Sequence, residues 1–223
     1  MNNKEKKGIL IGTLLGDSSL FKHPQGRNFN IQFTHSVAQK DYATYKANII
    51  SQMLFNEKAK LFEMPNYGYK KGSRTIMYRS RVHNLINSVR KILYRDKKKT
   101  ITYRALDCLT PQGLALWYMD DGCTMRRYYP DGGIHRQHVK LSTCSFSISE
   151  NFAIAYYFKK RWNINFHVRP YQWPYLTCGV KEGLKFQSII KEYIIPSMQY
   201  KLIDTTKCRA STLMMDDDIV HPI

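Results

Sequence analysis

Two stretches of the chain alternate strictly between apolar and polar side chains. In Asn28-Phe29-Asn30-Ile31-Gln32-Phe33-Thr34, Phe29, Ile31 and Phe33 fall on one side of an extended backbone and the polar residues on the other. That pattern predicts a half-buried strand with a polar working face. His138, Lys140 and Ser142 alternate with Val139 and Leu141 in the same way. Ahead of each stretch lies an apolar, helix-length run closed by an acid: Leu10-Ile11-Gly12-Thr13-Leu14-Leu15-Gly16-Asp17-Ser18 and Leu114-Ala115-Leu116-Trp117-Tyr118-Met119-Asp120-Asp121-Gly122. Thr110 as N-cap and Pro111 in the first turn mark the start of the second run.

The order repeats downstream. Capping boxes, Ser36-x-x-Gln39 and Ser147-x-x-Glu150, predict helices over residues 40–54 and 150–162. Strands follow over 59–79 and 166–180, broken by Pro65, Gly68 and Gly72 and by Pro170 and Pro174. A last helix closes each half, over 82–94 and 183–195, with Pro196 stopping the second. Each half ends in lysine, and Asp17 to Lys99 is 82 residues while Asp121 to Lys201 is 80. The chain therefore reads as an internal repeat: an N-terminal half over 1–95, a linker over 96–109, a C-terminal half over 110–210 and an acidic tail over 211–223 that carries Asp216, Asp217 and Asp218.

Composition narrows the class. Of 223 residues 43% are hydrophobic, enough for a core, which excludes a disordered basic tail. Lys and Arg number 35 against 17 Asp and Glu, a formal charge of +18. The surplus is uneven: residues 1–103 carry 20 basic and 6 acidic side chains, and 104–223 carry 15 and 11. With aromatic residues interleaved among the basic ones, nucleic acid is the expected partner. No apolar run is long enough to span a bilayer, and the N-terminus lacks a secretory pattern. The five cysteines show no CxxC spacing, which argues against zinc and disulfide frameworks and for a reducing, intracellular setting, in cytoplasm or an organelle matrix.

Gly12 and Gly16 share one helical face. Glycine inside a helix costs about 0.5–1 kcal/mol relative to alanine, so it calls for a close neighbour, and the second apolar run is the natural one. Side-by-side packing is expected to bring Asp17 and Asp121 together. Two neighbouring carboxylates repel unless a cation lies between them, and hard oxygen ligands suit Mg²⁺. Carboxylates with Mg²⁺ beside a basic surface point to phosphodiester hydrolysis.

Leu10–Ser18 and Leu114–Gly122, with the elements that follow each, resemble the two motifs of the single-chain LAGLIDADG homing endonucleases over about residues 8–205. The resemblance implies an α+β fold of two pseudo-symmetric αββαββα halves, with motif helices at their interface and antiparallel sheets forming a DNA-binding saddle. It implies that Asp17 and Asp121 bind two or three Mg²⁺ ions, with Mn²⁺ able to substitute, and that the backbone carbonyls of Gly16 and Asp120 assist. Lys99 and Lys201 take the positions of the family's basic residue, which orients water or offsets charge; Lys98 is a near competitor. Asp120 adjoins Asp121, but neighbours on a helix diverge by about 100°, so only one can point into a pocket. Its match to Gly16 favours Asp121. The motifs also differ: Leu116 and Asp120 stand where the first has glycines, so the packing is expected to be asymmetric. Thr34, and Ser142 or Cys144, are candidates for supporting the metal ligands.

Base reading is expected from the polar strand faces. The first half offers Arg27, Asn28, Asn30 and Gln32, then Lys70, Lys71, Arg74, Thr75 and Arg79. The second offers Arg126, Arg127, Arg136, His138 and Lys140, then His167, Arg169, Tyr171 and Gln172. The resemblance implies a monomer acting on double-stranded DNA, leaving short 3′ overhangs at a long target for intron mobility, with no membrane partner. The alternatives are an RNA maturase that assists group I intron splicing, and a DNA-binding relative without activity. An endonuclease within an intein is disfavoured, because the chain passes almost directly from Met1 into the first motif.

Overall fold

A computed structural model describes residues 1–65 and 72–206. Contacts divide the chain into two compact units. One comprises Met1–Lys99 and Asp107–Asp120, the other Thr100–Leu106 and the chain from Asp121 onward.

The elements run α1 (Asn3–Leu15), β1 (Ser19–Phe21), β2 (Asn30–Ser36), α2 (Lys40–Phe55), β3 (Leu61–Pro65), β4 (Arg74–Arg79), α3 (Asn84–Leu93), β5 (Tyr94–Arg95), β6 (Lys98–Lys99), α4 (Tyr103–Asp107) and α5 (Pro111–Asp121). They continue with β7 (Gly122–Tyr128), β8 (Ile134–Leu141), α6 (Ile148–Trp162), β9 (His167–Arg169), β10 (Tyr175–Gly179) and α7 (Val180–Ile190). Both four-stranded sheets are antiparallel and share one topology, β1-β2-β4-β3 and β7-β8-β10-β9. The αββαββα repeat read from the sequence is therefore present.

The alternation in β2 has the predicted phase. Ile31 and Phe33 are buried with Ile76 and Tyr78 of β4, and α2 covers them with Tyr42, Ala43, Ala47 and Ile50. In the second unit Val139, Leu141, Leu176 and Cys178 form the buried sheet face, with Ile154, Tyr157 and Phe158 of α6 and Phe186 and Ile190 of α7.

Local signals were realised unevenly. Thr110 caps α5 by accepting from the Gly113 N–H at 3.1 Å, and Pro111 opens the helix. The Ser147/Glu150 capping box forms in both directions. The box expected at Ser36 and Gln39 does not: Ser36 accepts from the Ala38 N–H and caps a single 3₁₀ turn over Val37–Gln39, so α2 starts without a side-chain cap. Pro196 does not stop α7 either. That helix ends at Ile190, and Pro196 opens the 3₁₀ turn Pro196–Lys201. Residues 96–109 hold the β5–β6 turn, β6 and α4.

In the first unit α1 meets α5 backbone to backbone. A Cβ on Gly8 would overlap the Cys108 carbonyl, one on Gly12 the Gly113 carbonyl, and one on Gly113 the Gly8 carbonyl. The expected asymmetry has a specific form: a Cβ on Gly16 would overlap the side chain of Asp120. Gly12→Val is accordingly expected to destabilise the protein by about 3 kcal/mol or more, measured as the shift of a urea unfolding transition. Val82→Thr, at an exposed loop position, is expected to move it by less than about 0.5 kcal/mol.

Candidate functional site

α1 stops at Leu15, Gly16 caps it, and Asp17 follows just outside the helix. The Asp17 side chain is 49% exposed and lies 3.9 Å from His35 Nδ1. Lys99 comes to the same helix end from β6. Its Nζ donates to the carbonyls of Gly16 at 3.1 Å and Ser18 at 2.9 Å, placing a cation where a helix presents unpaired carbonyls. The β5–β6 hairpin explains the choice of lysine. Asp96 and Lys97 form its two-residue turn with φ of 44° and 69°, and strand alternation then turns Lys99 inward and leaves Lys98 exposed.

Asp120 points into the same unit. Its side chain is fully buried, as is that of Lys46, and Lys46 Nζ stands 2.6 Å from Asp120 Oδ2. The Tyr42 hydroxyl donates to Oδ1 at 2.7 Å, and the Asp17 N–H donates to Oδ2 at 3.1 Å. His35 Nε2 lies 3.7 Å from Oδ1. The sequence reading named Asp120 for its carbonyl and missed His35, Tyr42 and Lys46. The 31, 33, 35 alternation of β2 carries a signal for His35; nothing local marks a lysine in the middle of α2 as the partner of an acid 74 residues away.

Carboxylate oxygens of Asp17 and Asp120 and a ring nitrogen of His35 lie within 4.8 Å of one another. Asp17, exposed and accepting no side-chain hydrogen bond among the described residues, fits a hard cation. Asp120 does not, because an ammonium and a phenol already hold its carboxylate. Asp121, half-buried in the second unit, closes α5, and its carbonyl accepts from the Ser142 N–H at 2.9 Å. Ser142 is half-buried, whereas Cys144 and Thr34 are exposed. Lys201 is buried at the end of its 3₁₀ turn, its carbonyl accepting from Thr124 Oγ1 at 2.6 Å.

Strand register sorts the base-reading candidates. In the first unit Ser19, Gln32 and Arg79 form one cross-strand row, with Arg79 Nε donating to Gln32 Oε1 at 3.1 Å. Asn30 and Thr75 share that face, along with exposed Phe62 and Met64, which the sequence reading did not pick out. Arg74 does not belong there. It has the phase of Ile76 and Tyr78, and its guanidinium pairs with Glu63 at 3.2 Å. Lys40 reaches the same Glu63 at 2.9 Å, and with Arg74 holds that carboxyl below its ordinary range. Asn28 lies before β2 and accepts from Asn87 of α3, and Arg27 is exposed in the preceding loop. Lys70 and Lys71 lie outside the described residues.

In the second unit Arg127, Arg136, His138, Lys140, His167 and Arg169 share one face, with Tyr175 beneath Lys140. Arg126 is turned the opposite way. It pairs with Gln137 at 3.2 Å and donates to the Tyr200 and Leu202 carbonyls, so it ties β7 to the following chain. Tyr171 and Gln172 are exposed beyond β9, next to Trp173, which is 67% exposed and was not anticipated. Burial, and then the charges of Arg136, Arg169, Arg127 and Lys140, lower the His138 pKa below its ordinary 6.5.

A family model described as the LAGLIDADG DNA endonuclease family matches residues 7–185. The chain is 26% identical over 204 residues to a protein RecA of Mycolicibacterium chitae, covering 87% of this chain and 45% of that protein. It thus spans less than half the length of that relative. It is 24% identical over 204 residues to the cytochrome b mRNA maturase bI2 of Debaryomyces hansenii, covering 90% of this chain and 74% of the maturase. Among solved structures, the homing endonuclease I-WcaI bound to its DNA recognition sequence superposes with a TM-score of 0.75 at 23% identity, over 90% of this chain and 86% of that one. That likeness shows the fold. Among the described residues no helix is long and apolar enough to cross a membrane.

Lys46→Met alone is expected to cost about 3–5 kcal/mol in urea unfolding, because it strands the buried Asp120 charge. His138 carries a pH dependence whose sign follows from its lowered pKa. The unfolded chain takes up the proton first as pH falls below 6.5, so wild-type stability should drop relative to His138→Gln over the interval down to the folded-state pKa. Urea midpoints at pH 7.5 and 5.5 for the two proteins check it.

Proposed function

Because the chain belongs to the LAGLIDADG DNA endonuclease family, we propose that it is a site-specific endonuclease that makes a metal-dependent double-strand break in duplex DNA and leaves short 3′ overhangs. The observation that carries the reading is the end of α1: an exposed carboxylate, Asp17, flanked by carbonyls that a lysine already holds. Asp17 from the first motif and Asp121 from the second are the proposed Mg²⁺ ligands, with the Gly16 and Asp120 carbonyls as assisting oxygens. When bound, such an ion polarises phosphoryl oxygen and makes its water a better nucleophile near neutral pH.

The chain's own groups do the rest. Lys99 is proposed to offset the charge that builds on the phosphate, and Lys201 to do so for the second strand. Lys99 holds the Gly16 carbonyl, so Gly16 assists as a ligand only if Lys99 shifts toward the phosphate. Gln32 and Arg79 on one face, and Arg127, Arg136, His138, Lys140 and Arg169 on the other, supply amide and guanidinium donors to base edges. Thr34, Ser142 and Cys144 remain candidate supports of the ligands. Intron mobility follows as the biological setting of such a break.

A second reading, group I intron RNA maturation, is favoured by the match to a maturase over 74% of that protein's length. Intron RNA binding and splicing assays separate the two.

The test uses a plasmid carrying the joined sequences that flank the intervening sequence around this reading frame. Cleavage should require Mg²⁺ or Mn²⁺ and disappear with chelator. Asp17→Asn and Asp121→Asn should each lower double-strand cleavage by about a hundredfold or more, and Lys99→Ala by about tenfold to a hundredfold, in single-turnover assays. Full cleavage by both acid variants would remove the site assignment.

A further inference from the structure

We propose that Asp120 is a positioning residue for Asp17: it fixes the direction of the metal-binding acid by holding that residue's backbone. The proposal rests on the reading of Asp17 as a metal ligand.

Asp17 lies past the end of its helix, after a cap residue whose ψ of −143° turns the chain out of helical geometry. The flanking amides still reach back into α1, Gly16 to the Gly12 carbonyl and Ser18 to the Thr13 carbonyl, both at 3.3 Å. The Asp17 amide does not. Its acceptor is Asp120 Oδ2 at 3.1 Å, on a helix 103 residues further along the chain. The carboxylate that accepts it is itself immobilised. Lys46 holds Oδ2 at 2.6 Å, and the Tyr42 hydroxyl donates to Oδ1 at 2.7 Å while standing 3.1 Å from the Leu116 carbonyl one turn back on α5.

Two further features fit a positioning role. Gly16 has no side chain at the point where Asp120 packs, so the first motif's glycine and the second motif's acid form one fitted contact. The His35 ring stands between the acids, one nitrogen 3.7 Å from Asp120 and the other 3.9 Å from Asp17, and packs against Phe33 and Tyr42. With Lys99 on the Gly16 and Ser18 carbonyls, the segment is gripped through its N–H from one side and its carbonyls from the other. The Asp17 carboxylate that the metal would take accepts no hydrogen bond among the described residues, with His35 Nδ1 3.9 Å away.

Two double variants separate positioning from bulk stability, since each removes both buried charges. Lys46→Met with Asp120→Asn keeps an oxygen that can accept the Asp17 N–H; Lys46→Met with Asp120→Leu keeps none. Each protein, bound to the joined-flank duplex, is titrated with Mn²⁺ and free ion is followed by electron paramagnetic resonance. Duplex affinity is measured separately by fluorescence anisotropy in Ca²⁺. With folding verified by circular dichroism, the asparagine pair should bind Mn²⁺ within about threefold of wild type and the leucine pair about tenfold or more weakly, at equal duplex affinity. Equal Mn²⁺ affinity in the two pairs overturns the proposal. If the leucine pair does not fold, Tyr42→Phe decides: it loosens Asp120 without stranding a charge and should weaken Mn²⁺ about tenfold. Unchanged Mn²⁺ binding in that variant also overturns the proposal. Asp17→Asn is the control. If it binds Mn²⁺ like wild type, the reading of Asp17 as ligand fails; if it loses Mn²⁺ while the leucine pair does not, that reading stands and the role of Asp120 is refuted.

Discussion

Backbone contact between α1 and α5 is the constraint on which the first unit depends. Gly8, Gly12 and Gly113 remove the side chains that would otherwise hold the helices at ordinary packing distance. The entropic penalty of glycine is offset by dispersion over the closely matched surfaces and by burial of long apolar runs, Ile9–Leu15 and Leu114–Met119. Once the backbones lie that close, side chains at the helix ends have few places to go. Asp120 fills the space over Gly16, and the rest of the polar cluster follows from satisfying it.

A fully buried carboxylate and ammonium would cost several kcal/mol each to desolvate if left alone. Here the pair is supplemented by a phenol and a backbone amide, so the acid's lone pairs are largely satisfied. Such a cluster is a poor way to add stability compared with packed leucine, but it fixes geometry, because only one arrangement satisfies all its members. The exposed neighbour, Asp17, has no such commitments. The two acids at the end of the α1–α5 contact thus occupy opposite environments, one dry and paired, the other wet and open.

Much of this fold was legible in the chain. The alternation around Ile31 and Phe33, the Thr110–Pro111 start and the Ser147–Glu150 box are local signals whose physics operates within a few residues, and each formed as read. Ser36 failed as a helix cap because its hydroxyl was captured one residue early by the 3₁₀ turn at Ala38. Arg74 and Arg126 were misplaced for another reason. Arg126 is followed directly by Arg127, and Arg74 opens its strand between Ser73 and Thr75, so composition alone does not say which face each takes; register does. Lys46 was invisible because its meaning lies in an acid supplied by another helix, and long-range pairing leaves no local trace. Lys99 was already preferred to Lys98, and the left-handed turn at Asp96 and Lys97, which fixes the phase of the hairpin, supplies the physical reason.

The two sheet faces differ in chemistry although their topologies match. The first presents amides, Ser19 and Thr75 with Phe62 and Met64, and Arg79 as the cation of its paired rows; the second presents Arg127, Arg136, Lys140 and Arg169 around His138. Amides suit adenine and apolar side chains suit the thymine methyl, whereas guanidinium forks suit guanine. Two sheets of one topology thus carry unlike donor sets, one mostly amide and apolar and the other mostly cationic, so the repeat that doubled the fold did not double its surface chemistry.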